Sequence, residues 1–143
     1  MIRAVVIDDI ERIRKENIAI IKSNCPNISI IGQADSVESG VKLIKLTSPD
    51  LVFLDVEMSD GTGFDLLQKL KPIQFKVIFI TGYEDFAIRA FRFSAIDYLL
   101  KPLDATELVD AVKKRRNRSI KRFSIQNSII CFPISNAQRI FKN

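Results

Sequence analysis

Five short, nearly unbroken apolar runs are spaced along this chain, at residues 2–7, 28–34, 51–54, 77–80 and 95–100. Runs of that length, bounded by turn residues, fit strands buried on both faces of a parallel sheet. Between them, apolar residues recur every three or four positions, as on the buried face of a helix. The first such segment, about 10–22, offers Ile13, Ile20 and Ile21 to a core, although its face is untidy. The second opens with Asp35 as N-cap and Glu38 three residues on, a capping-box spacing, and continues through Val37, Val41 and Ile44. A short helix over 64–70 turns Leu67 and Leu70 inward and is stopped by Lys71-Pro72. A fourth, over 84–92, carries Ala87, Ala90 and Phe91. A fifth is opened by Asp104 and Glu107 and buries Leu108, Val109 and Val112. No hairpin signal joins consecutive strands. The alternation predicts an α/β domain, a doubly wound five-stranded parallel sheet with helices on both faces.

Composition sharpens the picture in three places. The length of 143 residues suits one domain with a tail, and 47% hydrophobic residues suffice for a core. Residues 1–112 hold all 17 acids and 13 Lys+Arg, a net −4, whereas 113–143 hold the other 9 basic residues and no acid, a net +9. That break separates an acidic body from a basic tail. Histidine is absent, which excludes a Ser-His-Asp triad and any phosphohistidine made on this chain. Cys25 and Cys131 lack metal-ligand or framework spacing, no apolar run approaches the ~20 residues of a membrane span, and no leader pattern opens the chain. A reduced, cytoplasmic chain without a membrane partner is the expectation.

The candidate chemistry lies at the strand ends. The first run ends in Asp8 and Asp9, the third in Asp55, the fourth in Thr81 and the fifth in Lys101. Singly, each is an ordinary cap or turn residue. Together they fall on the carboxyl edge of a parallel sheet, where ligands bind in open α/β folds. Three converging carboxylates repel one another unless a lysine and a hard, oxygen-ligated cation such as Mg²⁺ offset them. With a phosphoryl group added, Asp55 can act as nucleophile to give an acyl phosphate. Lys101 and the cation would neutralise the transferring oxygens, and the Thr81 hydroxyl could donate to one of them.

Asp8-Asp9, the surroundings of Asp55, Thr81-Gly82 and Asp97-Tyr-Leu-Leu-Lys-Pro102 occur in the order found in the receiver domain of two-component response regulators, which residues 1–118 resemble. The resemblance implies a flavodoxin-like strand order 2-1-3-4-5. It implies Asp55 as phosphoacceptor, with Mg²⁺ held by Asp9, Asp55 and the Glu57 backbone carbonyl and assisted by Asp8 through water. Thr81 and Tyr98 match the family's switch pair, and Lys101 its phosphate-contacting lysine, with a cis bond to Pro102. Ser59 departs from the family's usual proline, which would loosen the loop after Asp55. The partner implied is a sensor histidine kinase, and the product a phosphorylated homodimer, with Arg89, Arg92, Asp97 and Lys113 on its expected face.

The run from Ala90 to Leu103 is similar to receivers joined to LytTR-type DNA-binding domains, and 129–134 resembles the first strand of such a domain. Residues 119–143 then read as a linker and the start of a truncated domain, with DNA bound only by the full-length protein. The basic run 113–122 reads as a solvated linker in preference to a direct DNA contact. The chain is expected to be a switch, not an enzyme. Competing readings are a stand-alone receiver, an aspartyl-phosphate phosphotransferase, which would want aspartate where Glu57 stands, and a flavin module, for which Asp8-Asp9 is the wrong phosphate loop.

Overall fold

The computed structural model describes residues 1–116. Five parallel strands, β1 (Ile2–Ile7), β2 (Ile28–Ala34), β3 (Leu51–Leu54), β4 (Lys76–Thr81) and β5 (Asp97–Leu100), form one sheet in the order β2-β1-β3-β4-β5. Helices α1 (Glu11–Asn24), α2 (Val37–Thr47), α3 (Gly63–Lys69), α4 (Ala87–Arg92) and α5 (Ala105–Arg116) alternate with them. The doubly wound sheet and its strand order are those expected. The segments expected to form the linker and a further strand, 119–143, lie outside the described residues.

Because successive strand residues point to opposite faces, the sheet has two cores. Ala4, Val6, Leu51, Phe53, Ile78 and Ile80 pack with Ile21 of α1 and with Leu108, Ala111 and Val112 of α5. Val5, Ile7, Val52, Leu54, Val77 and Phe79 pack under α2, α3 and α4 with Val37, Ile44, Phe64, Leu66, Leu67 and Ala90. The registers set Ile7 against Leu54 and Leu54 against Phe79. The next residues of β1 and β3, Asp8 and Asp55, therefore leave the sheet side by side.

Four local expectations need correction. The α2 cap is Ser36, not Asp35: its Oγ accepts from the Ser39 N–H, and the Ser39 hydroxyl reaches back, so Ser39 takes the role expected of Glu38. The expected helix over 84–92 is one 3₁₀ turn, Glu84–Phe86, followed by a short α4 with no side-chain cap. Strand β5 starts at Asp97, not residue 95, because the Ala95 N–H closes the end of α4 on the Ala90 carbonyl after Ser94 takes a left-handed φ of 61°. On α1 the buried residues are Arg14, Asn17 and Ile21, whereas Ile13 and Ile20 are only half-buried.

Asp60 supplies a long-range cap of its own. Its two carboxylate oxygens accept from the N–H groups of Val37 (2.7 Å) and Glu38 (3.1 Å) at the start of α2, where the helix dipole favours a negative charge. Those N–H groups hold the Asp60 carboxyl below the usual carboxylate range. A carboxyl lowered in the folded state stabilises the fold above its unfolded pKa, and that contribution is lost as pH falls through the lowered value. Thermal midpoints of wild type and Asp60→Asn are therefore expected to differ above an ordinary Asp pKa of 3.8 and to converge below it, as scanning calorimetry across acid pH would register.

Candidate functional site

Each site residue is placed by the strand that ends beneath it. Asp8, Asp55 and Thr81 are buried, at 2%, 5% and 0% exposure, and Asp9 is half-buried. The Lys101 N–H donates to the Thr81 carbonyl at 2.8 Å, which sets the start of the β5–α5 connection beside β4. From there the Lys101 ammonium stands 2.9 Å from Asp55 Oδ2 and 2.7 Å from Asp8 Oδ2. The peptide bond from Lys101 to Pro102 is cis, as is that from Lys71 to Pro72.

The carboxylates are held by their own backbones. Asp55 Oδ1 accepts from the Val56 N–H at 2.7 Å, and Asp8 Oδ1 from the Ile10 N–H at 3.0 Å. Lys101 donates a well-directed hydrogen bond to Asp55 Oδ2, but its approach to Asp8 Oδ2 is ionic only, and that buried oxygen receives no directed hydrogen bond. Burial, reinforced by the Asp8 charge, pushes the Asp55 carboxyl up despite the opposing pull of Lys101 and of the Thr81 hydroxyl. Burial also disfavours the Lys101 ammonium, but the Asp8 and Asp55 carboxylates beside it outweigh that, and its pKa is raised.

One oxygen each from Asp8, Asp9 and Asp55 can be chosen so that all lie within 4.8 Å of one another. An all-oxygen, carboxylate-rich set with an under-bonded buried oxygen fits a hard divalent cation. Of the sequence candidates, the structure thus brings Asp8, Asp9, Asp55, Thr81 and Lys101 together.

The loop after Asp55 is tied down in spite of Ser59. Glu57 and Met58 pair antiparallel with Thr62 and Gly61, Asp60 caps α2, and Thr62 and Asp65 form a capping box on α3. Gly63 closes the loop, its N–H donating to the Val56 carbonyl at 2.7 Å, and a Cβ there would lie 2.4 Å from the Asp55 carbonyl oxygen. Gly63→Ala is therefore expected to push on the backbone of Asp55 itself and to cost about 1–3 kcal/mol, measurable by urea unfolding. The Glu57 side chain is exposed, and its carboxylate beside the Tyr83 phenol raises the Tyr83 pKa.

Thr81 and Tyr98 meet at Tyr83. The Thr81 Oγ accepts from the Tyr83 N–H at 3.4 Å, while the Tyr98 hydroxyl donates to the Tyr83 carbonyl. The Tyr98 ring packs on Phe79. Burial, with help from nearby acids, raises the Tyr98 pKa and keeps the phenol a donor.

The four residues expected on a partner face do not meet through any contact observed among the described residues. Arg89 stacks its guanidinium 4.5 Å over the Phe64 ring, on the α3 side. Arg92 lines a cleft with Lys71, Phe75, Lys76 and Phe93 at the opposite end of β4 from the acid cluster. Asp97 pairs with Lys114 of α5 at 2.9 Å, and Lys113 is exposed. Arg14 and Asp60 went unrecognised in the sequence as parts of this end of the sheet. The one available signal was two polar residues, Arg14 and Asn17, at the buried spacing of α1 that Ile21 continues.

A family model described as the response regulator receiver domain matches residues 4–113. The sensory transduction protein LytT of Bacillus anthracis is 31% identical over 131 residues, covering 90% of this chain and 53% of that protein. An uncharacterized response regulatory protein of Vibrio cholerae is 40% identical over 115 residues, 80% of this chain and 48% of that one. This chain thus spans about half the length of the curated relatives it matches. Among solved structures, the REC domain of AraT from Geobacillus stearothermophilus superposes with a TM-score of 0.72 at 27% identity, covering 85% of this chain and 98% of that one. The response regulator domain of Thermotoga maritima CheB gives 0.72 at 26% identity, covering 82% and 97%.

Proposed function

This chain belongs to the response regulator receiver family, and from that premise we propose that Asp55 accepts a phosphoryl group from the phosphohistidine of a sensor histidine kinase. The observation that carries the proposal is the position of Asp55: a buried carboxylate in contact with the Lys101 ammonium, beside two further carboxylates at the carboxyl edge of the sheet. In the transfer, an Asp55 oxygen forms a bond to phosphorus as the donor's P–N bond breaks. The leaving imidazole keeps the electron pair and is then protonated. Mg²⁺ at Asp8, Asp9 and Asp55 would supply charge neutralisation for the transferring oxygens. Lys101 contributes a fixed positive charge beside the acceptor.

The signal passes through Tyr83. The Thr81 hydroxyl, which now acts on the Asp55 carboxylate, turns to an oxygen of the phosphoryl group that Asp55 then carries and changes its relation to the Tyr83 N–H. Tyr98, which holds the carbonyl of the same residue, follows. The change re-poses α4, β5 and α5, where Leu100 and Lys113 are exposed, and promotes homodimerisation.

The output is regulation of transcription through a LytTR-type DNA-binding domain of the full-length protein. The LytT likeness supports this, since an alignment covering 90% of the chain necessarily runs past residue 113 into the basic tail. The chain works in the cytoplasm as a switch with no substrate turnover beyond its own phosphoryl group. Among the described residues no helix is long and apolar enough to cross a membrane.

Intact mass after incubation with Mg²⁺ and a small acyl-phosphate donor tests the proposal. One phosphoryl group per chain, removed by hydroxylamine, is the expected result. Multiple turnover of the donor with no stable adduct would favour a phosphotransferase instead, and no adduct without turnover would count against the acceptor role.

A further inference from the structure

On the reading of Asp8, Asp9 and Asp55 as a Mg²⁺ site, we propose that Arg14 is a positioning residue for that site, fixing the corner at which β1 delivers Asp8 and Asp9. Arg14 lies on the inner face of α1 at 8% exposure. Its Nη1 donates to the Asp8 carbonyl at 2.7 Å and its Nε to Gln33 Oε1 at 2.7 Å. Both acceptors are neutral, and among the described residues Arg14 forms no ion pair.

A buried cation is costly unless hydrogen-bonded, and an aliphatic residue could fill this position of the stripe, as Ile21 does further along α1. The guanidinium instead ties three elements together: the end of β1, the first turns of α1 and the Gln33 side chain of β2. The cap residue of α1, Ile10, makes no side-chain cap, and its N–H bond to Asp8 Oδ1 reaches only the end of β1, whereas Arg14 also reaches β2.

With Arg14 in place, Asp8 is held at both backbone polar groups and at one carboxylate oxygen. Its N–H donates to the Ala34 carbonyl at 3.1 Å, its carbonyl accepts from Arg14, and its Oδ1 accepts from the Ile10 N–H. Oδ2 alone is left facing the acid cluster. Arg14 thus sets the direction of Asp8 and, through the next peptide unit, of Asp9.

The proposal predicts a sign. The positive charge of Arg14 opposes a second cation nearby, so its electrostatic effect alone would weaken metal binding, and its removal would tighten it. Its positional effect runs the other way, and groups that orient metal ligands are worth about 10–100-fold in affinity.

The test is equilibrium titration of the full chain with Mn²⁺, followed by electron paramagnetic resonance, with Mg²⁺ as competitor. Metal-free thermal midpoints are recorded for each variant to establish that it is folded. Arg14→Met is expected to weaken Mg²⁺ binding about 10-fold or more. Arg14→Lys, which keeps the charge but cannot span both acceptors, should fall between it and wild type. Gln33→Met, which removes the acceptor of Nε and leaves Arg14 in place, should also weaken binding, and it decides the matter if Arg14→Met does not fold. Folded variants that bind Mg²⁺ as tightly as wild type, or more tightly, overturn the positioning role. A wild-type chain that takes up neither ion overturns the cation-site reading itself, and the role of Arg14 with it.

Discussion

Asp55→Asn is expected to remain folded, to gain no phosphoryl group, and to unfold at a higher temperature than wild type in metal-free neutral buffer. The amide keeps the shape of the side chain and an oxygen for the Val56 N–H that Asp55 Oδ1 now accepts, but it is no nucleophile. Stability should rise because the folded protein holds the Asp55 carboxyl above its ordinary range, through burial first and the Asp8 charge second. A group with a raised folded-state pKa stabilises the fold below its unfolded pKa, and that contribution is lost as pH rises through the folded value. At neutral pH the ionised carboxylate is therefore a burden that asparagine removes, and Lys101 still has Asp8 within 2.7 Å. The gain should be about 1 kcal/mol, or about 4 °C. It should shrink when Mg²⁺ is added, since only wild type then has three carboxylates with which to gain from binding. Intact mass and scanning calorimetry with and without Mg²⁺ check both parts. An undiminished adduct on the mutant would place the acceptor on another carboxylate, and a lower metal-free midpoint would mean that Asp55 is net stabilising.

The acid cluster could be read from the sequence because each of its members follows directly on a buried strand. A strand's end is marked twice, by the apolar run and by the turn residues after it, and the parallel topology then carries Asp8, Asp55, Thr81 and Lys101 to one edge. Arg14 and Asp60 carried no such mark. Each acts on a residue distant in space or across a turn, Arg14 on the Asp8 carbonyl and Asp60 on α2, 23 residues away from Val37. Only the assembled fold gives them partners. The cap of α2 went wrong for a local reason: Asp35 and Ser36 are both good caps, and the reciprocal hydroxyl bond between Ser36 and Ser39 selected the serine. The partner face of Arg89, Arg92, Asp97 and Lys113 rests on the family resemblance; in the structure α4 turns Arg89 onto Phe64, where a cation lies against an aromatic face.

Lys101→Met should produce the largest change in stability, and its dependence on conditions identifies the cause. The ammonium stands 2.7 Å from Asp8 Oδ2 and 2.9 Å from Asp55 Oδ2, and both carboxylates are buried. Removing one partner of a buried charge cluster costs about 3–5 kcal/mol, because the remaining charges are left without compensation. In metal-free neutral buffer the variant should lose that much by denaturant titration. Two conditions should restore it. Acidic pH protonates the Asp55 carboxyl, already raised by burial and raised further without the lysine, so the penalty grows as pH rises and fades as it falls. Mg²⁺ does the same by binding the folded state alone, and at 100 times its dissociation constant it would return about 2.7 kcal/mol. Metal affinity itself should tighten, since a competing positive charge is gone. Phosphoryl uptake should nevertheless fall by about 100-fold or more, the loss typical of removing one donor to the oxygens of a transition state. Stability rescued by Mg²⁺ without rescue of uptake would separate the two roles of Lys101, as counter-ion to the resting carboxylates and as a fixed charge on the transferring phosphoryl group. A metal-free variant as stable as wild type and indifferent to Mg²⁺ would mean that neither contact holds this end of the sheet.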